Sequence, residues 1–375
     1  NTITAVGKNS VSISGGLIGS LVKDSNNLAA DNVCSIILID RDCDLLSLMR
    51  SQNSCGGLAN EIFGCPQSKE IKINTQDSIS ENNSKENTIS INKFSHVYKS
   101  IQYMNMTQSG KEIKRKITEI RETIESINAR IKINLTTLTD DDKKFIKNLC
   151  NDKNECKNLI MLLTEIIERQ RNNNYILKAE LEELIIKSIQ FNSDIIDRII
   201  SLALSGDLIS AIRYLLLYGQ CNRGFSNDDC NKLVDNDIKS LFPEWPTILR
   251  YLKQQGIIKK ADIKKYLFNW ISNTIMKRND KYLYANIIKA DTTNEIIDIV
   301  QQIGNIVHSR ITVDSNDIRI KKDIILVIMD GITIDEIKEI RLMAEKCSKK
   351  ITIITNNITT AACYINKIRM TVINS

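Results

Sequence analysis

Two short, unbroken runs of apolar residues at opposite ends of the chain constrain its fold more than any other feature. The first is Cys34–Ile39 and the second is Ile324–Met329. Polar residues follow each run directly, beginning with Asp40 and Asp330, which is typical of a buried parallel strand that ends in a loop. We therefore expect the two strands to be neighbours in one sheet, although most of the chain lies between them.

The second run begins a strand-helix-strand unit. A helix is predicted from Asp335 to about Cys347, and a third strand over Ile351–Thr355. Units of this kind join parallel strands by a right-handed crossover. The fold class predicted from these segments is an α/β domain whose parallel sheet is formed from both chain ends.

The middle of the chain, residues 107–310, has helical periodicity almost throughout. One predicted helix carries isoleucines at steps of four and three residues, which places them on one side of the helix. They are Ile113, Ile117, Ile120, Ile124, Ile127 and Ile131. We interpret the stripe as an internal packing seam, with an intermolecular coiled coil as the alternative. A large all-α insertion domain is therefore expected to interrupt the α/β domain.

The predicted boundaries follow from these segments. Residues 1–106 form the first part of the α/β domain, residues 107–310 the helical insertion domain, and residues 311–375 the second part of the α/β domain. Residues 66–93 are polar with little periodicity, so they are predicted to be a flexible connection. Because the chain begins with Asn1 instead of Met, we also expect it to be a fragment of a longer protein.

Composition excludes several classes of protein. Hydrophobic residues make up 42% of the chain and charged residues 26%, which is typical of a folded domain and not of a disordered one. A net charge of +6 over 375 residues is too small to indicate a nucleic-acid-binding protein. No apolar run reaches the roughly 20 residues that a membrane-spanning helix needs. We expect a cytoplasmic protein.

Neither a metal site nor a disulfide framework is predicted. The 10 cysteines never form a Cys-x-x-Cys pair, and the chain has only two histidines, His96 and His308. Cysteines inside apolar stretches are typical of reduced thiols in a cytosolic protein. No cofactor is expected.

An enzyme is the alternative function. Asp40 and Asp42 follow a strand, two residues apart, as the nucleophile and the acid/base do in haloacid-dehalogenase-like phosphatases. The downstream lysine and acidic pair of those enzymes have no room after Thr355, so the competing interpretation is that both aspartates cap the turn. The chain has no phosphate loop, dinucleotide fingerprint or nucleophile elbow. We expect no enzyme, with a phosphatase or another phosphate-handling α/β enzyme as the alternative.

Residues 40–47 resemble the hallmark strand and loop of the SM family, the Sec1-like or Sec/Munc proteins that bind SNAREs. Residues 330–341 resemble the strand-to-helix motif of that family. Residues 212–225 and 248–257 are similar to its helical stretch, in the same order along the chain. The residues that match the two motifs are Asp40, Arg41, Asp44, Gly331, Thr333, Glu336 and Arg341.

Departures from the motifs indicate a divergent member. Leu48 stands where the family has Pro, residues 54–56 replace its Thr-Tyr-Glu, and Asp330 replaces a Gly. The short spacing between blocks, together with Asn269-Trp270, indicates the class C vacuolar protein sorting branch. Family members usually carry a further N-terminal α/β domain, which the resemblance implies is missing from this chain.

The resemblance implies binding and not catalysis. SM proteins hold SNARE helices against a helical domain, and so promote or template SNARE assembly in vesicle docking and membrane fusion. The implied partners are syntaxin-like and other SNAREs, with no nucleic acid and no cofactor. The implied location is the cytoplasm, peripheral to endosomal, vacuolar or other endomembranes through those partners.

The helical domain carries the SNARE surface in the family, and its equivalent in this chain is about residues 132–190. Lysines there are candidates for contacts with acidic SNARE surfaces. These are Lys143, Lys144, Lys147, Lys153 and Lys157. For each of them the alternative is a solvated lysine on an exposed face.

The class C branch also docks on a tethering-complex subunit with a helical solenoid. Candidate contacts to such a subunit are Phe242, Trp245, Tyr251 and Leu252. Aromatic residues are frequent anchors of interfaces, but they are equally frequent in cores, so both interpretations stay open.

Overall fold

A computed structural model gives the fold of the chain. The residues it describes are 2–7, 9–10, 12–14, 35–64, 70–75, 85–90, 96–134, 139–172, 174–187, 193–222, 224–234, 236–254, 283–292, 295–296, 299, 320 and 322–373. The chain divides into two compact units. The first unit consists of Asn1–Ser51 and Leu177–Ser375, and the second of Gln52–Ile176.

Four strands of the first unit form a parallel sheet. They are β1 Thr2–Val6, β2 Ser35–Asp40, β5 Asp323–Met329 and β6 Lys350–Thr355. Their order is β1-β2-β5-β6, and Ile37 of β2 lies opposite Leu326 of β5. Ile37, Leu38 and Ile39 are all buried, because β2 lies inside the sheet and is covered on both faces. This double burial explains the unbroken apolar run of the sequence.

The helices follow in chain order. They are α1 Leu45–Met49, α2 Cys55–Phe63, α3 His96–Ile101, α4 Met106–Asn134, α5 Asp140–Asn172, α6 Tyr175–Lys187, α7 Ser193–Leu204, α8 Leu208–Cys221, α9 Asn227–Lys232, α10 Asn236–Leu241, α11 Trp245–Gln254, α12 Leu283–Lys289, α13 Ile334–Lys346 and α14 Ala361–Ile373. None of the helices in the described ranges is both long enough and apolar enough to span a bilayer.

The core of the first unit is built around α8. This helix packs against α1, α7 and α14, so every residue from Tyr214 to Tyr218 is buried. Asp207 caps its start by accepting a hydrogen bond from the Ser210 N–H at 3.1 Å. Residues 193–254 thereby share one apolar core with α1 and α14. For this reason the compact units divide at residues 51 and 176, whereas the predicted domain boundaries were residues 106 and 310.

The second unit is built on the long helices α4 and α5, which pack against each other. Ile113 and Ile120 of α4 are buried in one cluster with Leu159, Leu162 and Ile166 of α5. The isoleucine stripe is therefore an internal packing seam, as predicted. The side chain of its last predicted member, Ile131, lies outside the described residues.

Two strands of the second unit correct the prediction for residues 66–93. β3 Glu70–Thr75 and β4 Lys85–Ser90 form an antiparallel hairpin, with Ile71 opposite Ile89. Both isoleucines are buried in the core of this unit. The predicted flexible connection is wrong for these strands, because Ile71 and Ile89 anchor the hairpin in the core although most of its residues are polar.

A polar junction in the first unit lies where the chain leaves it and returns to it. Glu182 of α6 accepts hydrogen bonds from the Ser51 N–H at 3.0 Å and from the Ser51 hydroxyl. Arg213 of α8 donates to the Met49 carbonyl at 2.7 Å and to Ser51 Oγ at 3.2 Å. Ser51 is the last residue of the first segment of this unit, so side chains of two helices hold it in place.

Candidate functional site

Two aspartates of the first motif satisfy backbone groups at the end of β2. Asp40 accepts hydrogen bonds from the N–H groups of Asn9 at 2.7 Å and Ser10 at 2.8 Å, and from the Ser10 hydroxyl. Asp44 accepts from the Ser47 N–H at 2.9 Å and so caps α1. Because Asp40 is 5% exposed and its carboxylate already accepts hydrogen bonds, it is not accessible to attack a substrate. Asp40 makes no capping hydrogen bond to the turn at residues 41–43 and holds residues 9 and 10 instead. Asp42 accepts a hydrogen bond from the Tyr364 hydroxyl at 2.6 Å. The prediction that both aspartates cap the turn is therefore wrong.

Arg41, in the short 3₁₀ turn 41–43, joins the two family motifs. Its Nη1 donates to both carboxylate oxygens of Glu336, at 2.8 Å and 3.0 Å, and both side chains are 0% exposed. Its Nη2 donates to the Asp44 carbonyl. The Arg41 Cζ also lies 5.3 Å from the ring centre of Tyr284 on α12. One buried ion pair therefore connects residues 295 positions apart in the sequence.

Glu336 also belongs to a capping box at the start of α13. Its carboxylate accepts from the Thr333 N–H at 2.8 Å, and the Thr333 hydroxyl accepts from the Glu336 N–H at 3.2 Å. This is the reciprocal arrangement that satisfies two N–H groups at a helix start. Glu336 thus serves a helix end and an ion pair at the same time.

The backbone before α13 needs a glycine at position 331. Gly331 has φ +100°, and a Cβ there would lie 2.2 Å from Asn357 Oδ1. Asp330, where the family has another glycine, has φ 67° in the left-handed region, which Asp tolerates better than most residues. Its carboxylate pairs with Lys367 at 2.9 Å. Asp330 therefore has a left-handed backbone conformation at the position where the motif has a glycine.

Six of the motif residues form what we call the motif cluster: Asp40, Arg41, Asp44, Gly331, Thr333 and Glu336. All six are buried, whereas Arg341 is exposed on α13. Burial by itself lowers the pKa of Arg41, but the charge of Glu336 opposes this and the pKa is raised. Burial raises the pKa of Glu336, and Arg41 opposes that rise. The cluster holds the fold together and offers no surface to a partner.

The thiol of Cys43, which lies in the same 3₁₀ turn as Arg41, is poorly reactive. Burial raises the pKa of the Cys43 thiol to about 12, so the thiol stays protonated at neutral pH and is a poor nucleophile. Across the described ranges, no group of three or more His, Cys, Asp or Glu side chains is placed to hold a metal ion.

Sequence reasoning missed two side chains that hold this part of the fold. Tyr284 lies on α12, of which residues 283–288 are all buried. Lys349 donates to the carbonyls of Ile288 at 2.9 Å and Ala290 at 2.6 Å, and so caps the end of α12. Nothing local in the sequence marks either residue, because both act on partners that are distant in the chain.

The predicted SNARE-binding lysines all lie on α5 and are all exposed. Lys143 and Lys157 are about four helical turns apart and lie on nearly the same side. Lys147 follows Lys143 by about one turn, and Lys153 precedes Lys157 by about one turn. We call these four residues the lysine face of α5. Lys144 lies about 100° around the helix from Lys143.

The lysine face points away from the buried side of α5. Cys156, Leu159 and Leu163, which form that buried side, pack in the core of the second unit. Lys143 pairs with Asp140 at 2.9 Å, one turn earlier in the same helix. The face is therefore a stripe of ammonium groups open to solvent.

The predicted tether contacts divide into two groups. Trp245 is 1% exposed and its indole N–H donates to the Leu233 carbonyl at 2.9 Å, while Leu252 is 0% exposed. Both belong to the core around α8. These two residues are therefore core residues, and the prediction that they contact a tether subunit is wrong. Phe242 and Tyr251 are half-buried.

Comparison with known proteins identifies the family. The model of the Sec1 family matches residues 17–367. A vacuolar protein-sorting-associated protein 33 homolog of Arabidopsis thaliana is 22% identical over 251 residues, which are 66% of this chain. The chain spans 40% of the length of that relative.

Two solved structures show the same fold. Sly1p in complex with an N-terminal peptide of Sed5p has a TM-score of 0.67 at 12% identity, covering 100% of this chain and 65% of that one. The SM protein Vps45 in complex with the Qa SNARE Tlg2 has a TM-score of 0.63 at 13% identity, covering 99% of this chain and 67% of that one. With the family model matched over most of its length, this chain belongs to the Sec1 family.

Proposed function

We propose that this chain binds SNARE proteins and promotes or templates their assembly in vesicle docking and membrane fusion. The observation that carries the proposal is the lysine face of α5, an exposed stripe of four ammonium groups on a helix whose other side is buried. Family membership supports it, and so does the similar Vps45 structure, which is a complex with a Qa SNARE.

The physical basis of the proposal is complementarity of charge. A row of ammonium groups attracts an acidic partner helix, which raises the association rate and fixes the orientation of the partner. A surface that holds one SNARE helix in place removes part of the entropy that its assembly with a second helix has to overcome. Such templating needs no covalent chemistry and no cofactor.

The family branch is a further part of the proposal. The similarity to a vacuolar protein-sorting-associated protein 33 homolog supports the class C branch. We therefore infer work within an endosomal or vacuolar tethering complex, on membranes that the chain reaches through its partners. Phe242 and Tyr251, which are half-buried, stay the candidate contacts to a solenoid subunit.

The domain arrangement is part of the same proposal. A helical insertion domain that interrupts the α/β domain would carry the lysine face, while the sheet keeps the two parts of the α/β domain together. The parallel pairing of β2 with β5 supports this arrangement.

Charge reversal tests the lysine face. The test variant replaces Lys143, Lys147, Lys153 and Lys157 by Glu, and the control variant replaces Lys239, Lys253, Lys346 and Lys350, which are also exposed. We expect the test variant to bind a soluble Qa SNARE fragment at least about tenfold more weakly at low salt, since it repels an acidic helix. Fluorescence anisotropy titration measures the affinity.

The control has the same net charge as the test variant, so it is expected to change affinity less than about twofold. Raising the salt concentration should narrow the gap between wild type and the test variant. Equal losses in both variants would show that total charge matters and not the lysine face. Lys144→Glu alone should have a smaller effect than Lys147→Glu, because Lys144 lies to the side of the face.

A further inference from the structure

The outer side of α6 exposes a cluster of large apolar side chains. Ile176 is 74% exposed, Leu177 is 63% exposed and Leu184 is 42% exposed. Leu177 and Leu184 are seven residues apart, about two helical turns, so they lie on the same side, and Ile176 lies beside them. Single exposed apolar residues are ordinary, but a group of large ones on one short helix marks an interaction surface.

Two glutamates lie on the same side of α6. Glu180 is four residues after Ile176 and four before Leu184, so it stands between them on the surface. Glu180 is exposed, and among the described residues it has no hydrogen-bond or ion-pair partner. Glu183 is also exposed and pairs with Lys187 within the same helix. Lys187 lies on the same side and compensates Glu183, so the uncompensated negative charge beside the apolar surface is that of Glu180.

The opposite side of α6 is firmly held in the first unit. Leu181 and Ile185 are buried in the core around α8. Lys178 pairs with Asp207 at 2.6 Å, and Glu182 accepts from Ser51 as described above. The polar groups on this side are engaged, so the free carboxylate of Glu180 is a property of the outer side.

We propose that the outer side of α6 docks an amphipathic helix of a protein partner, with apolar residues at helical spacing and lysine or arginine beside them. The apolar side chains of that helix cover Leu177 and Leu184. A basic side chain of that helix pairs with Glu180, which is placed to accept it. A partner helix with acidic flanks is disfavoured, because like charges would face each other.

This surface differs in charge from the lysine face of α5. The lysine face suits an acidic helix, whereas the outer side of α6 suits a basic one. The inference goes beyond the proposed function, and the two proposals are tested independently. A chain with the charge-reversed lysine face should therefore keep its affinity for a basic helix on α6.

Synthetic peptides provide the probe. One 18-residue peptide has leucine on one helical side and lysine on the other, a second has glutamate in place of lysine, and a third is a scrambled form of the first. With the full chain and fluorescence anisotropy, we expect the lysine peptide to bind at least about tenfold more tightly than the other two. Equal binding of the lysine and glutamate peptides would overturn the proposal.

Variants locate the binding. Leu177→Gln with Leu184→Gln removes the apolar surface, and Glu180→Lys reverses the unpaired charge. Each is expected to weaken binding of the lysine peptide about tenfold. The matched control is Leu342→Gln with Glu345→Lys on α13, both exposed residues, with an expected change below about twofold. A control that loses as much affinity as the α6 variants would contradict the proposal.

Two further measurements keep the outcome clear. Circular dichroism checks that each variant keeps its helix content, and if the double leucine variant unfolds, Glu180→Lys still decides the question. Sedimentation velocity without peptide tests whether a second copy of the chain covers this surface. A dimer that Leu184→Gln converts to monomer would replace the proposed basic helix by self-association.

Discussion

The motif cluster and the lysine face of α5 differ in both burial and bonding. Arg41 and Glu336 are fully buried and bonded to each other, whereas the four lysines are exposed and point into solvent. Six of the seven motif residues are thus buried where no partner can reach them. The four lysines predicted to bind belong to no motif. In this chain the motifs mark a junction of the fold, and recognition is expected on surfaces that the motifs do not mark.

The difference has an energetic side. Removing one partner of a buried ion pair leaves an uncompensated charge and destabilises a protein by about 3–5 kcal/mol. Substituting a surface lysine usually changes stability by less than about 0.5 kcal/mol. Stability measurements and binding measurements should therefore separate the two regions.

Glu336→Ala should have the largest effect. It removes the partner of Arg41 and half of the capping box, so we expect a loss of about 3–5 kcal/mol in the free energy of unfolding. Urea denaturation measures it. Glu345→Ala, an exposed position on the same helix, is the control and should change stability by less than about 0.5 kcal/mol. Similar values for both variants would break the comparison between the buried and the exposed region.

Trp245→Phe is expected to have an intermediate effect. The smaller ring fills less of the core and leaves the Leu233 carbonyl without its indole donor, at a loss of about 1–3 kcal/mol. Thermal or urea unfolding is again the measurement. If the variant keeps its stability but binds a tether subunit more weakly, Trp245 is an interface residue and not a core residue.

The smallest effect should come from Asp207, which caps α8. Burial raises the pKa of this carboxyl, but Lys178 and the Ser210 N–H outweigh burial, so the pKa is lowered in the folded chain. The carboxylate therefore stabilises the fold above its unfolded pKa of about 3.9, and this contribution is lost as the pH falls through the folded value.

Asp207→Asn tests the pH dependence. Asn keeps the cap but loses the charge, so the variant should be less stable than wild type by about 0.2–1 kcal/mol at neutral pH. The gap should close as the pH falls below about 4. Unfolding curves at several pH values measure it, and a gap that widens in acid would contradict the assigned shift.

Patterns with a short repeat were predictable from the sequence, and long-range contacts were not. The unbroken apolar runs of β2 and β5 indicate burial on both faces of each strand. The spacing of the isoleucines in α4 indicates which side of that helix is covered. The β3–β4 hairpin escaped notice because its apolar/polar alternation is short, with only Ile71 and Ile73 in one strand and Ile89 and Ile91 around the end of the other. Trp245 was ambiguous, since an aromatic residue suits a core as well as an interface.

The motif residues illustrate the same limit at the candidate site. The resemblance picks out Arg41 and Glu336 separately, but no local pattern shows that they bond to each other across the length of the chain. Tyr284 has no motif at all, and only its place beneath Arg41 reveals its role.

The junction of Ser51, Glu182 and Arg213 has an evolutionary consequence. It holds both ends of the segment that forms the second unit, so the sheet does not depend on how many residues run between them. Each doubling of such an inserted length adds only about 0.6 kcal/mol of closure entropy. A lineage can therefore lengthen or shorten the second unit and leave the sheet of the first unit unchanged.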